Sequence, residues 1–397
     1  MKKNSKEKDT FITLNAMVQK FSLQRIKQIM YYVDRFLTLF IKDTVYKKRK
    51  KKEIAVIYNL AFGDGIVFRS ALDEFLKDYD NKKYSVTLFC QKGLGKLYTD
   101  IYNFSEIIEL DFNAATINLK KRYNNIKMIK SKYYDILYDP VGANECFTNV
   151  LMSRCFLAKQ KIGCIISSKK IICPNHILKK TYTEVKYLNE SSLIGQYFEY
   201  FDKREKTHFL KFNGIKPNIN IPKDYYIVFP SASTDLKKWP IDRYAKIIRK
   251  IYKKTGLTLL ICGTTADSLD YQKLCELISD VPYVNIVGET SLLEFIYVIK
   301  KAKFVVTNDT STYHIAVTNE VPVAIITGGY TYNRYVEYKF DGNENYKKPY
   351  IIVHKMPCFN CDNKCTKINA NAKIWPCLDA ITVDYAWKII EKMIDEL

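Results

Sequence analysis

The chain runs twice through one rhythm, short apolar runs alternating with helix-compatible stretches. In the first pass IAVIYNL (54–60), YSVTLFC (84–90), IIEL (107–110) and YDILYD (134–139) read as strands. In the second, YYIVFP (225–230), LTLLICG (257–263), YVNIVG (283–288), AKFVVTN (302–308) and VPVAIITG (321–328) do so, with helical patterns over 243–254 and 292–301. Continuous apolar strands separated by helices are the mark of parallel α/β sheets. The regularity fades between about 180 and 222, and NGIKPNINIPKDY, with two prolines, reads as a linker. The chain thus divides into a basic extension (1–52), one α/β domain (53–215), a second (224–380) and a closing amphipathic helix (381–397).

Two turns stand out, AFGDG (61–65) and TNDTSTYHIA (307–316), each where a strand gives way to a helix. In parallel sheets ligands bind at the carboxyl ends of strands, against helix N-termini. One such turn per half suggests two sheets facing one cleft, an arrangement suited to transfer between two substrates.

The 397 residues, 47% hydrophobic and 26% charged, suit a soluble globular protein. The formal net charge of +21 is uneven: residues 1–52 hold 15 Lys/Arg against 4 Asp/Glu, about half the excess. Val18, Ile26, Ile29, Met30, Val33, Phe36, Leu37, Phe40 and Ile41 are spaced as a helix stripe, and KKRKKK (47–52) follows. An amphipathic helix beside a polybasic run is a membrane-surface signature; a helix docked on the protein's own core, followed by a solvated linker, is equally consistent. No run reaches the roughly 20 apolar residues of a membrane span, and the N-terminus lacks the apolar core of a secretory signal. A cytoplasmic protein is expected, its 11 cysteines mostly reduced thiols or metal ligands.

Three segments carry candidate chemistry. Between Gly63 and Gly65, Asp64 is placed either to cap the following helix, the commoner role, or to take a proton from an attacking hydroxyl. In FPSASTDLKKWP, Ser231, Ser233 and Lys238 lie in a loop whose hydroxyls and ammonium suit a diphosphate, although an ordinary surface loop fits equally and the P-loop pattern is absent. Asp309, Thr310 and Ser311 precede an apolar helical stretch, and His314 lies near its first turn, where a structural and a functional histidine are equally expected.

Together these segments resemble glycosyltransferase family 9, the lipopolysaccharide heptosyltransferase family. The matching features are the Gly63-Asp64 turn, the small residues and basic Trp-Pro element from Ser231 to Pro240, and Gly288-Glu289-Thr290-Ser291-Leu292. The buried strand before Asn308, the turn from Asn308 to His314, and the later Val321–Val323 and Gly328-Gly329 complete the series. The resemblance covers most of residues 53–330, in order. It implies a GT-B architecture, two Rossmann-like domains facing a central cleft, and inverting transfer from a nucleotide-activated sugar, ADP-heptose in the known enzymes, without a catalytic metal. It further implies Asp64 as general base and Lys238 on the leaving diphosphate. Ser231, Ser233, Thr290, Asp309, Thr310, Ser311 and His314 would hold the donor, with Gly63, Gly65 and Arg69 on the acceptor side. Three positions depart from the family's pattern. Arg69-Ser70 stands where Thr-Pro is common, favouring a phosphorylated or acidic acceptor, and Ser311 replaces the usual glycine.

Cys358, Cys361, Cys365 and Cys377 form a dense cluster. Four thiolates suffice for a structural zinc, while free or paired thiols are the other reading. No cofactor is expected for catalysis. The expected partners are a nucleotide-sugar donor, a lipid-linked cell-envelope glycan acceptor such as the lipopolysaccharide core, and an anionic membrane surface at the cytoplasmic face, met by residues 17–52. Two alternatives stay open: a nucleotide-sugar binder without catalysis, and a basic nucleic-acid-binding protein. The latter is disfavoured because no nucleic-acid module is recognisable and the basic excess concentrates in one tail.

Overall fold

The computed structural model describes residues 29–397 apart from 48, 113–114, 116–117, 143–146, 168–174, 339–345 and 370. The first 12 residues of the expected basic helix, 17–28, therefore lie outside the described residues. The chain forms two compact units, Met1–Leu60 with Leu76–Asn189, and Ala61–Phe75 with Glu190–Leu397.

The first unit is built on a six-stranded parallel sheet of order β3-β2-β1-β4-β5-β6. Its strands are β1 (Lys52–Tyr58), β2 (Tyr84–Gln91), β3 (Glu106–Leu110), β4 (Tyr133–Tyr138), β5 (Leu157–Ile166) and β6 (Glu184–Leu188). Ile54 to Tyr58 are wholly buried, because a central parallel strand is covered on both faces and so reads as one apolar run. The sequence pattern misses β5 and β6. β5 opens with polar, partly exposed residues around Lys159-Gln160-Lys161, and β6 is an edge strand with only Leu188 buried, so neither shows a strong period.

A helix over residues 29–39 docks on this unit. Met30 and Tyr31 join a cluster with Val150, Leu151, Ile165 and Tyr182, and Ile41 joins a second one. Asp34, 3% exposed, takes a two-pronged hydrogen bond from the guanidinium of Arg122, 1% exposed, which donates from Nη2 at 2.5 Å and from Nε. Burial raises the Asp34 pKa and the Arg122 charge opposes that rise. The inner face of this helix is thus core, as one of the two sequence readings had it.

The second unit repeats the plan: β7 (Tyr225–Phe229), β8 (Thr258–Ile261), β9 (Tyr283–Asn285), β10 (Val305–Asn308), β11 (Val323–Thr327) and β12 (Tyr350–Val353). They form a parallel sheet of order β12-β11-β10-β7-β8-β9. β12 is a short edge strand not anticipated from sequence. In both sheets the strand order reverses beside the first strand, at β1/β4 and at β7/β10, and the loops leaving such a pair are where doubly wound sheets bind ligands.

The helix Phe62–Leu76, all but its last residue, belongs with the second unit for reasons of packing. Phe75 stacks on Phe201 and Phe68 meets Tyr197 edge-on, both partners lying in or just after the helix Leu193–Tyr200. That helix, capped by Ser192, occupies the stretch whose pattern fades in sequence. The division of the chain accordingly falls at Asn189/Glu190 rather than near 215. The closing helix is present over Val383–Asp395, with Thr382 as its cap and Ala386, Ile390 and Met393 buried.

Candidate active site

Three loops at the carboxyl ends of β7, β8 and β10 meet in the second unit, and Asn308 fixes two of them. Wholly buried, it accepts hydrogen bonds through Oδ1 from the Tyr244 hydroxyl at 2.7 Å and from the Trp239 N–H at 3.3 Å. Its amide donates to the Pro230 carbonyl. The β7 loop, including the Trp-Pro element, is thereby locked to the β10 turn. Trp239 is a structural anchor, 1% exposed, with its indole N–H on the Ile381 carbonyl at 3.1 Å.

The β8 loop is tied in by Asp267. One carboxylate oxygen accepts from the Ser231 hydroxyl, and the other from the N–H and hydroxyl of Thr264 at 2.9 and 2.8 Å. Gly288 reaches the same loop at φ +79, and a Cβ there would stand 2.8 Å from the Thr265 methyl. This close approach brings Thr290 to the site.

These loops, with the Ala61–Asp64 turn, line a cavity of about 850 Å³. That lies in the range of small-molecule sites, and all its lining residues belong to the second unit. Asp64, Lys237, Lys238, Ser231, Ser233, Thr290, Asp309, Thr310, Ser311 and His314 all face it, so most residues singled out from sequence converge on one space. Asp64 lies in the first turn of the helix Phe62–Leu76 and not at a position preceding it. Gly63 is needed for close approach: a Cβ would come 3.1 Å from the His314 ring and 3.4 Å from the Ser311 Cα.

Two lysines with different surroundings enter from the β7 loop. Lys237 pairs with Asp309, Nζ to Oδ2 3.3 Å, and its ammonium lies 5.2 Å from the centre of the Tyr330 ring. Lys238 pairs with Asp270 at 2.8 Å and with Asp235 at 2.9 Å. Partial burial works against the Lys238 charge, but hydrogen bonds to those two carboxylates outweigh it and its pKa is raised. Lys237 was missed in sequence because two adjacent lysines cannot be told apart by pattern; only the turn of the loop separates them.

Thr310 caps the helix Ser311–Thr318, its hydroxyl accepting from the Thr312 N–H, and presents the positive end of that helix to the cavity. His314 is buried one turn in, with Nδ1 hydrogen-bonded to the Tyr338 hydroxyl. Burial, reinforced by Lys237 and opposed by Asp309, pushes its pKa down to about 4, so it is neutral near pH 7. Thr331 also lines the cavity, its buried hydroxyl without a hydrogen-bond partner among the described residues. It stands outside every motif, so no sequence signal marks it.

Two expected acceptor residues lie elsewhere. Arg69 is 1% exposed, donates to the carbonyls of Leu210 at 3.4 Å and Lys211 at 3.2 Å, and lies over the Phe212 ring at 4.1 Å. It does not line the cavity, because the helix turns its side chain toward the chain that precedes β7. Its guanidinium is taken up by backbone carbonyls and a ring of its own unit. Gly65 is buried in the same helix, its N–H held by the Ala61 carbonyl at 3.0 Å, and does not line the cavity either.

The four clustered cysteines surround a space of only about 10 Å³, together with Gly329, Tyr330, Phe359 and Trp375. Among the described residues no group of three or more His, Cys, Asp or Glu side chains is disposed to hold a metal ion. Cys377 accepts from the Gly329 N–H at 3.4 Å, and burial, with neighbouring thiols adding to it, raises the Cys361 and Cys377 pKa values. The cysteine-bearing loop supports the cavity wall: the Asn363 N–H donates to the Tyr330 carbonyl at 3.3 Å, and Asn363 lines the large cavity.

A model of glycosyltransferase family 9 (heptosyltransferase) matches residues 123–366, more than half of the chain. The chain belongs to glycosyltransferase family 9. The matched stretch includes the β7, β8 and β10 loops and begins after the Gly63-Asp64 turn. Lipopolysaccharide heptosyltransferase 3 of Escherichia coli (strain K12) is 21% identical over 227 residues, 53% of this chain and 63% of that protein. The chain thus spans just under two thirds of that relative's length. Among solved structures, E. coli ADP-heptose lps heptosyltransferase II superposes with a TM-score of 0.59 at 14% identity, over 87% of this chain and 99% of its own. E. coli heptosyltransferase WaaC with ADP gives 0.60 at 16%, over 86% and 99%. A family 9 glycosyltransferase from Veillonella parvula gives 0.62 at 14%, over 89% and 100%. This family 9 member thus has the GT-B type of fold expected from its sequence.

Proposed function

We propose that this family 9 protein is an inverting glycosyltransferase that moves heptose or a related sugar from a nucleotide-sugar donor, ADP-heptose first among them, to a lipopolysaccharide-core or other cell-envelope glycan acceptor at the inner face of the cytoplasmic membrane. One observation carries the reading: a carboxylate, Asp64, and the Lys237–Asp309 pair at a helix N-terminus line the same cavity. The relatives' names supply the sugar and the acceptor class.

In this reading the donor diphosphate lies against the start of the helix Ser311–Thr318, with Lys237 and Lys238 at its oxygens. Asp64 takes the proton of the acceptor hydroxyl as that oxygen attacks the anomeric carbon. The bond from that carbon to the diphosphate breaks with its electron pair leaving on the phosphate oxygen, and the configuration inverts. Negative charge grows on the leaving group, so fixed cations and N–H dipoles there favour the transition state over the bound donor. His314, neutral and held by Tyr338, shapes the wall and donates no charge. The partnerless Thr331 hydroxyl is placed to meet a donor oxygen.

The test is a thermal-shift panel of ADP-, UDP-, GDP- and CMP-linked sugars on the wild type and Asp309→Ala, followed by turnover with the donor that binds. A ligand bound only by the native state raises its melting temperature. A shift with the ADP sugars, lost in the variant, is the expected result; a folded protein that responds to none of the four classes would remove the donor assignment.

A further inference from the structure

Helix 29–39 has a second apolar face. Met30, Tyr31 and Asp34 point into the core, while Ile29, Tyr32, Phe36, Leu39 and Phe40 point outward, Leu39 77% and Phe40 64% exposed. Spacings of three and four residues put these five side chains on one stripe. With Val45 and Tyr46, the 18 residues 29–46 hold seven of the 15 large apolar side chains exposed among the described residues. Scattered exposed apolar residues need no explanation, but a continuous stripe on a helix already anchored through its other face does.

Charge says what covers it. Arg35 lies on the same outer face, Lys42 follows, and Lys47, Arg49, Lys50, Lys51 and Lys52 are exposed directly beyond. The acids nearby are engaged, Asp34 with Arg122, Asp43 with Lys130, and Glu53 with Lys132 and with Arg49 of the run itself. A second copy of this chain seated on the stripe by twofold symmetry would bring two polybasic runs toward one interface, which like charge opposes. An anionic lipid surface satisfies both features, taking the apolar stripe into the headgroup boundary and the basic run against its phosphates.

We infer that the outer stripe of helix 29–39 and the exposed lysines Lys47, Lys50, Lys51 and Lys52 together form a docking surface for anionic phospholipid bilayers. The Asp34–Arg122 pair and the inner apolar contacts hold the helix preformed, so the stripe is presented without a folding step. The inference stands on the first unit alone and does not depend on the donor-site reading. Among the described residues no helix is long and apolar enough to cross a membrane, so this attachment is peripheral in kind.

The test is co-sedimentation of the full chain with phosphatidylcholine vesicles, with and without about 30% phosphatidylglycerol, at physiological and high salt. Binding to the anionic vesicles at least about tenfold tighter than to the neutral ones is expected, weakened by salt. A triple variant, Phe36→Ser, Leu39→Ser and Phe40→Ser, should lose about tenfold or more, and so should Lys47→Gln with Lys50→Gln and Lys51→Gln. Tyr187→Ser, at an exposed apolar site elsewhere, is the control and should change nothing. Unchanged circular dichroism and unchanged melting temperatures establish that the variants fold. The inference is overturned if the wild type ignores anionic vesicles, if the triple serine variant binds them like the wild type, or if that variant alters only the oligomeric state.

Discussion

Lys237 stands with its ammonium nitrogen 3.3 Å from a carboxylate oxygen of Asp309, joining the loop after β7 to the turn after β10. The two residues are 72 positions apart, and they meet because β7 and β10 are neighbours at the point where strand order reverses. The pair places a cation beside a helix N-terminus without leaving either charge uncompensated in a largely buried wall.

That geometry makes Lys237 the more consequential of the two lysines. Lys237→Ala should lower kcat by about 10²-fold or more, the scale for loss of one preorganised charge donor. Lys238→Ala, which also frees Asp270 and Asp235, should have the smaller effect on kcat and the larger on donor binding. Steady-state kinetics on both variants decides this; wild-type kcat in Lys237→Ala would remove the lysine from the mechanism.

For Asp64, the isosteric Asp64→Asn tests proton abstraction. Turnover should fall by about 10²- to 10⁴-fold, while the donor-induced thermal shift is kept. If the shift is lost as well, the carboxylate serves binding or structure and another base must be sought.

His314 makes stability depend on pH. Its folded pKa, near 4, lies below its ordinary value of 6.5, so in that window the unfolded chain binds more protons. The contribution of the neutral imidazole is complete above about 6.5 and is lost as pH falls toward 4. His314→Gln should flatten the dependence of melting temperature on pH across this interval; an unchanged slope would show that other groups set it.

Breaking the buried pair beneath helix 29–39 should be costly. Asp34→Ala leaves the Arg122 guanidinium buried without its main counter-charge, for an expected loss of about 3–5 kcal/mol. Replacing both residues with apolar ones of similar size should recover much of it. Chemical denaturation of the single and double variants measures this, and a loss under about 1 kcal/mol in Asp34→Ala would mean the pair is hydrated in solution.

A structural zinc at Cys358, Cys361, Cys365 and Cys377 would require the thiols to turn inward and lose their protons. Zinc titration of the reduced protein should then show one equivalent bound with proton release, absent in Cys361→Ser with Cys377→Ser. Chelation should lower the melting temperature and leave the step at Asp64 intact once the protein is held folded. No zinc uptake would identify the cluster as packed thiols.

Local chemistry made much of this molecule legible. The central strands announced themselves as apolar runs, since a parallel strand covered on both faces has no room for alternation. The small and polar turns at Gly63-Asp64 and Asn308–Ser311 announced helix starts, and their order along the chain marked the family. The sequence by itself therefore determined the α/β plan, the number of sheets and a set of residues most of which share the cavity. It did not determine β5, β6 or β12, whose edge or half-exposed positions carry weak periodicity. Nor did it show that Arg69 points away from the cavity, that Lys237 pairs with Asp309, or that helix 29–39 is both docked and apolar on its outer face. Each of these depends on which direction a side chain leaves its backbone and what distant segment waits there, and only the packed structure fixes both.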